Sequence, residues 1–173
     1  ITLGAYLSEY YLAVIVEKIS IQKKIKIYKK STGKDYDLSS PVKFLNENKK
    51  NNKLFPAVTP NNYFRDLNII NQNFEIMPLS GISNSKTFVC NENGYYSIFQ
   101  SDRYGFNNPD EEWDKDQIDY LLLGDSFTQG SCLNRPYDIG SQLRIFSNKS
   151  VLNLGYGSTG PANQHAQYIN QKR

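Results

Sequence analysis

The clearest pattern of hydrophobic and polar residues lies in the last third of the chain. Residues 118–124 read IDYLLLG and residues 150–155 read SVLNLG, two apolar runs that predict buried β-strands. Helical spacing follows each run, in YDIGSQLRIF at 137–146 and in GPANQHAQYINQ at 160–171. Strands and helices that alternate at this spacing are typical of a parallel sheet with helices on its faces, so we predict an α/β fold.

The N-terminal segment combines an apolar run with a basic one. Residues 1–16 are apolar apart from Thr2, Ser8 and Glu9, and lysine-rich sequence follows, so we predict a helix over residues 1–31. A membrane span needs about 20 apolar residues. Three interpretations therefore stay open: the end of a truncated transmembrane helix, an interfacial helix, or an amphipathic helix of a soluble domain.

The middle of the chain predicts short elements joined by irregular sequence. Ser40 and Pro41 have the pattern of a capping residue and the first residue of a helix. Residues 54–86 are expected to be irregular, and Asn93-Gly94 between two β-like runs predicts a hairpin. Residues 101–117 are expected to be a loop whose acidic side chains lie in solvent: Asp110, Glu111, Glu112, Asp114 and Asp116.

Composition and charge fit a globular protein and restrict its partners. The 173 residues are 39% hydrophobic and 21% charged, and the net charge of +3 is too small to favour a nucleic-acid partner. We divide the chain into an N-terminal helix at 1–31, a lead-in at 32–117 and an α/β part at 118–173. Because the sequence stops inside a helical pattern, we expect the chain to be a fragment.

The chemistry is expected at the carboxyl ends of the two strands, where functional groups collect in open parallel sheets. The first end reads LLLGDSFTQG, and its turn presents Ser126 where the backbone N–H groups of a starting helix are unpaired. A serine hydrolase needs a hydroxyl nucleophile and donors for an oxyanion. The same sequence also fits an ordinary helix cap formed by Asp125 or Ser126.

The second end reads VLNLGYGSTGP and contains a competing motif. Gly155, Gly157 and Gly160 have the spacing G-x-G-x-x-G of dinucleotide-binding turns. That fingerprint usually follows the first strand of its domain, whereas here it follows the second, and Pro161 comes directly after it. A nucleotide-binding α/β domain is therefore the less favoured alternative, and we predict no bound cofactor.

The two strand ends together resemble the first and second signature blocks of the SGNH (GDSL-type) hydrolases. The preceding NENGYYSIFQSDRYGFNNPDEEW is similar to the lead-in of a bacterial subgroup, and the resemblance covers roughly residues 87–169. It implies a three-layer α/β/α flavodoxin-like sandwich and the hydrolysis or transfer of an ester acyl group. It also implies that Ser126 is the nucleophile and Asp125 the structural acid of the motif. The oxyanion hole would consist of Ser126 and the Gly157–Ser158 turn.

Two elements of that family have no match in this sequence: the asparagine of the third block and the Asp-x-x-His that supplies the general base. His165 is the single histidine and is expected to be a partly exposed helix residue. We therefore expect the base to lie downstream and the chain alone to be inactive, because a serine without a base is a weak nucleophile.

The cysteines and the N-terminal segment complete the expected picture. Cys90 and Cys132 lack the spacing of metal ligands, so we predict no metal. They are either two free thiols or, in an oxidising compartment, the disulfide that we expect, which would fix the hairpin beside Ser126. The predicted function is a membrane-associated esterase or acyltransferase acting on a small-molecule or glycan ester in a bacterial cell envelope, attached through residues 1–16. Lysines after an apolar run favour a cytoplasmic end, which leaves the side of the membrane open. The alternative is a non-catalytic binding domain.

Overall fold

The computed structural model describes residues 2–48, 54–59 and 78–170, and the chain divides into two compact units. The first unit is built on the N-terminal helix and includes Asn91–Tyr95. The second unit contains the remaining described residues, among them all the strands.

The first unit consists mainly of one helix, α1, which spans Thr2–Thr32. The helix lies where the sequence predicts one, and most of its side chains are exposed, including large apolar ones in its first half. Within this unit the rings of Tyr28 and Tyr36 meet edge to face, with centroids 5.6 Å apart. Among the described residues, no helix has the length and apolarity that crossing a bilayer requires.

A small three-stranded sheet lies in the lead-in of the second unit. Its strands are β1 (Leu54–Pro56), β2 (Lys86–Phe88) and β3 (Ile98–Gln100), in the order β1-β2-β3. The antiparallel β2–β3 pair is the hairpin predicted around Asn93-Gly94. In contrast, β1 pairs in parallel with β2 in a stretch predicted to be irregular. The prediction misses β1 because the strand is short, lies at an edge and ends in proline, which edge strands tolerate.

Helix α2 (Pro41–Asn48) packs beside this sheet. It begins at Pro41 after the capping Ser40, as predicted. The ring of Phe44 stacks on the ring of Tyr96, with centroids 4.1 Å apart. This pair joins a local apolar cluster that also contains Leu45, Leu54 and Phe88.

The α/β part has the predicted order of elements. Strands β4 (Tyr120–Leu122) and β5 (Val151–Asn153) pair in parallel, and helices α3 (Ser126–Gln129), α4 (Ile139–Ser147) and α5 (Pro161–Asn170) alternate with them. The described chain is therefore a mixed α/β structure with small sheets that contain parallel strands.

The two strands differ in burial, and one prediction is wrong here. β5 is buried throughout, as predicted, but Tyr120 and Leu121 of β4 are 40% and 39% exposed. Tyr120 and Leu122 of β4, and Gly124 just after it, hydrogen-bond to residues next to β5. The other edge of β4 has no partner strand among the described residues. A central parallel strand is apolar because both of its faces are covered, and the exposed side chains of β4 lack that cover.

Residues 101–117 are irregular apart from one short 3-10 helix, as predicted, but seven of the 17 residues are buried, so the segment is not a solvated loop throughout. Asp102 is fully buried, and its carboxylate accepts hydrogen bonds at 2.9 Å from four donors. The donors are the backbone N–H groups of Tyr104 and Phe106 and the side chains of Asn108 and Trp113. The many polar residues of this segment predict exposure to solvent. Several are buried instead, because their side chains hydrogen-bond to groups within the segment.

The acidic residues that follow form a short 3-10 helix at Asp110–Asp114. Asp110 and Asp114 both bind Arg103, whose hydrogen bonds hold the pKa of Asp110 below its ordinary value. Glu112 is only 5% exposed, so the expectation that all five acids are solvated is wrong. Glu112 is buried because it contacts the edge of β5.

Side chains take the place of a neighbouring strand along the second edge of β5. The Asn108 carboxamide accepts from the N–H of Asn153 and donates to its C=O, both at 2.9 Å. At Val151, the N–H donates to Glu112 Oε2 at 3.1 Å and the C=O accepts from Arg144 Nε at 3.0 Å. This edge therefore has no free hydrogen-bonding groups at either residue.

We predict that Asn108→Ala lowers the free energy of unfolding by about 3 kcal/mol. The substitution leaves the buried N–H and C=O of Asn153 without partners, and each such loss costs about 1–3 kcal/mol. Urea denaturation of the variant and its parent measures the change. The control is Asn170→Ala at the exposed end of α5, which should stay within about 0.5 kcal/mol of the parent. Equal losses in the two variants would contradict the role of Asn108.

Candidate functional site

Helix α3 is held close to the carboxyl ends of β4 and β5 by two glycines. A Cβ on Gly124 would collide with Thr128 Oγ1, and a Cβ on Gly155 would lie 2.6 Å from the backbone nitrogen of Gln129. Asn153 of β5 completes the attachment, since its side chain donates to the C=O of Thr128 at 2.6 Å and accepts from Gly155 at 2.8 Å. This packing sets the position of every residue in the short helix.

The cap of α3 is formed by Asp125 and not by Ser126. The Asp125 carboxylate accepts from the N–H of Phe127 at 3.0 Å, and Ser126 is the first residue of the helix. Ser126 is half-buried, and its hydroxyl makes no hydrogen bond to the described residues. Of the two residues that the sequence offers as the cap, Asp125 is the one that caps the helix. The Ser126 hydroxyl takes no part in the cap.

The Gly157–Ser158 turn lies beside Ser126. A Cβ on Gly157 would lie 3.9 Å from the Cβ of Ser126, so the two elements predicted to form one site are neighbours. The N–H of Gly157 donates to Gln129 Oε1 at 3.1 Å. Ser158 is exposed in the left-handed region, at φ +62°, and its N–H has no partner among the described residues. The two candidate oxyanion donors of the turn therefore differ. The N–H of Gly157 has an acceptor, and the N–H of Ser158 has none among the described residues.

Three residues at this site were not singled out from the sequence: Gln129, Thr59 and Tyr156. The methyl group of Thr59 lies 3.5 Å from the Cβ position of Gly157. Tyr156 donates to the C=O of Val58 at 2.5 Å, and burial raises the pKa of Tyr156 to about 12, so its phenol is neutral at physiological pH. Gln129 belongs to the motif LLLGDSFTQG, but no sequence pattern predicts that its amide is buried. Thr59 is distant from the motif in sequence, so the local sequence does not predict that it lies near Gly157.

Cys90 and Cys132 form a disulfide, which confirms the predicted pair. Their Cα atoms are 5.4 Å apart, and the bridge joins the residues after β2 to the turn after α3. The hydroxyl of Ser97 also donates to the C=O of Ser131 in that turn. The hairpin and the end of α3 are thus joined by a covalent bond and a hydrogen bond.

The remaining candidates lie outside this arrangement. His165 is exposed on α5, as expected, and the described residues bring no base into hydrogen-bond contact with Ser126. In the G-x-G-x-x-G motif, Gly155 and Gly157 pack against residues of α3, and only Gly160 has open space around its Cβ position. Packing inside the protein therefore accounts for two of the three glycines.

We predict that Ser158→Gly raises the free energy of unfolding by about 1 kcal/mol. The left-handed conformation costs an L-residue roughly 1–2 kcal/mol and costs glycine almost nothing. The control is Ser80→Gly, because the φ of Ser80 is not positive and the change there should be neutral or destabilising. Urea denaturation distinguishes the two variants. A destabilised Ser158→Gly protein would contradict the strained turn.

Comparison with known proteins gives no family for this chain. No family model matches the sequence, and no curated protein or solved structure matches the chain. The role of Ser126 therefore depends on the geometry of residues 124–130 and 153–160.

Proposed function

We propose that the full-length protein is a serine-dependent ester hydrolase or acyltransferase with Ser126 as its nucleophile. The observation that carries this proposal is the division of roles at the start of α3. Asp125 caps the helix, so the neighbouring serine hydroxyl is free of hydrogen bonds to the described residues and lies beside the Gly157–Ser158 turn. A serine that served only as a cap would have its oxygen on a backbone N–H of the first turn.

In the proposed reaction, Ser126 Oγ attacks the carbonyl carbon of an ester while a histidine base takes the hydroxyl proton. The carbonyl oxygen becomes an oxyanion and accepts hydrogen bonds from the Ser126 N–H and from the Gly157–Ser158 turn. The alcohol leaves with the proton, and the acyl group passes to water or to a second hydroxyl. The resemblance to SGNH hydrolases implies that the histidine and its aspartate belong to a later block of sequence.

The arrangement of β4 and β5 supports a flavodoxin-like sandwich as the fold around this site. In the strand order 2-1-3-4-5, the second strand lies at an edge and the first lies inside the sheet. β5 has the properties of the edge strand, because side chains occupy its outer hydrogen bonds. β4 has an open edge and half-exposed apolar side chains, as expected for a strand that pairs on both sides.

A non-catalytic binding domain on the same fold is the alternative. In that case Ser126 would be a structural residue of the turn, and its hydroxyl would have no chemical role. The two functions differ in what happens when only that hydroxyl is removed.

We predict that Ser126→Ala in the full-length protein lowers kcat on a short-chain p-nitrophenyl ester by roughly 10⁴–10⁶-fold, as in other serine hydrolases. It should also abolish labelling by a fluorophosphonate probe. The free energy of unfolding should change by less than about 0.5 kcal/mol, because the hydroxyl makes no hydrogen bond to the described residues.

The matched control is Ser131→Ala, in the turn after α3, which should keep both labelling and turnover. Labelling and turnover that are equal in Ser126→Ala and its parent would exclude the nucleophile and favour the binding domain.

We also propose that α1 attaches the protein to a membrane of a bacterial cell envelope. The support is the combination of exposed apolar side chains in its first half and lysines in its second half. The exposed apolar residues are Leu3, Tyr6, Leu7, Tyr10, Tyr11, Leu12 and Val16. Apolar surface followed by basic residues fits an acyl layer with anionic headgroups above it.

Alkaline carbonate extraction of membranes from cells expressing the full-length protein tests the attachment. We expect the parent to stay in the membrane pellet and the double variant Leu7→Glu and Leu12→Glu to be released, because charge is costly inside the acyl layer. Leu38→Glu, at an exposed leucine after α1, is the control and should behave as the parent. Release of the parent itself would contradict the attachment.

A further inference from the structure

We infer that Gln129 is a positioning residue of the candidate oxyanion hole, and that Ser158 rather than Gly157 supplies the N–H which the turn offers to the oxyanion. The inference rests on the proposed ester-cleaving function and assigns the donors within that site.

Gln129 is fixed at both its main chain and its side chain. It is the last residue of α3 and only 1% exposed. Its N–H donates to the C=O of Asp125 at 3.0 Å, and its C=O accepts from Asn107 Nδ2 at 2.9 Å. Its side-chain Oε1 accepts from the N–H of Gly157 at 3.1 Å. The side chain therefore extends from a rigid backbone to the turn beside Ser126.

This hydrogen bond removes Gly157 from the set of available donors. The N–H of Gly157 is buried and already has a partner, and Gln129 Oε1 carries partial negative charge that would repel a second anionic oxygen at the same N–H. Ser158 is the next residue, is exposed, and has an N–H without a partner among the described residues. The donor pair is then the N–H of Ser126 and the N–H of Ser158.

The amide nitrogen of Gln129 has a bearing on why this residue is a glutamine. Gln129 Nε2 is buried and has no hydrogen-bond partner among the described residues. A buried donor without a partner is unfavourable, and methionine would fill a similar space without it. Packing alone therefore favours an apolar residue at this position. The acceptor for Gly157 is the contribution that only the amide oxygen makes.

Two variants of the full-length protein separate this role from simple packing. Gln129→Met keeps the approximate shape and removes the acceptor, whereas Gln129→Glu keeps an acceptor and adds a titratable charge near the oxyanion. Gln117→Met and Gln117→Glu, at an exposed glutamine, are the matched controls. Circular dichroism shows whether each variant is folded.

For Gln129→Met we expect kcat on a p-nitrophenyl ester to fall about 10–100-fold with KM changed less than about twofold, because a displaced donor weakens only the transition state. Amide hydrogen exchange followed by NMR should show a protected Gly157 and a fast Ser158 in the parent. Gly157 should lose at least about tenfold of its protection in Gln129→Met and keep it in Gln129→Glu.

For Gln129→Glu we expect the ratio of its kcat to that of the parent to rise as the pH is lowered from 8 to 5. The ionised carboxylate repels the oxyanion, and protonation removes that repulsion; burial moves the glutamate pKa upward from about 4.3 toward this range. A purely structural defect would give a ratio that does not depend on pH.

An active parent whose Gln129→Met variant retains full kcat, or whose Gly157 amide exchanges freely, would overturn this assignment while leaving the esterase intact. A parent that neither hydrolyses the ester nor reacts with a fluorophosphonate would overturn the proposed function, and this assignment with it.

Discussion

The structure around the site depends on the hydrogen bonds that surround one residue, Asn153. Its N–H and C=O bind the carboxamide of Asn108, and its side chain binds the C=O of Thr128 and the N–H of Gly155. A single residue of β5 thus joins the partly buried segment 101–114, the helix that begins with Ser126 and the loop that leads to Gly157. A shift of Asn153 would therefore change the position of Ser126 relative to the Gly157–Ser158 turn.

The interior near the site is polar as much as apolar. Phe106, Leu152, Leu154 and Tyr156 form the apolar cluster, but Asp102, Asn107, Asn108 and Gln129 are equally buried beside it. Apolar contacts tolerate small shifts, whereas a network of buried hydrogen bonds has few arrangements that pair most of its groups. The proposed function would gain from that restriction, because it requires a nucleophile and two backbone donors in fixed positions.

The order of elements could be predicted from sequence because it has local causes. Periodicity located β5 and the helices α4 and α5, the Asn93-Gly94 pair located the hairpin, and the capping pattern located the start of α2. The cysteine pairing was predicted from the positions of the two residues around the hairpin and the motif. The role of Ser126 stays a prediction, and so does the three-layer sandwich.

What could not be predicted has non-local causes. Asn108 and Asn153 are 45 residues apart in sequence, and nothing near either residue indicates that they bind. The same holds for Glu112 on Val151, 39 residues away, and for the contact of Gln129 with Gly157. In each case a polar side chain is buried because it hydrogen-bonds to a backbone group that is distant in sequence.

The covered edge of β5 also has a consequence for how this chain avoids association with other chains. Unpaired strand edges are templates for intermolecular β-pairing, and the run VLNL, which contains β5, is apolar enough to make such pairing favourable. Once Asn108, Glu112 and Arg144 have bound that edge, it offers no hydrogen bonds to a second molecule. Asn108 and Glu112 in residues 101–114 and Arg144 on α4 therefore protect this edge from pairing with another chain, and β5 is exposed to aggregation until they have docked.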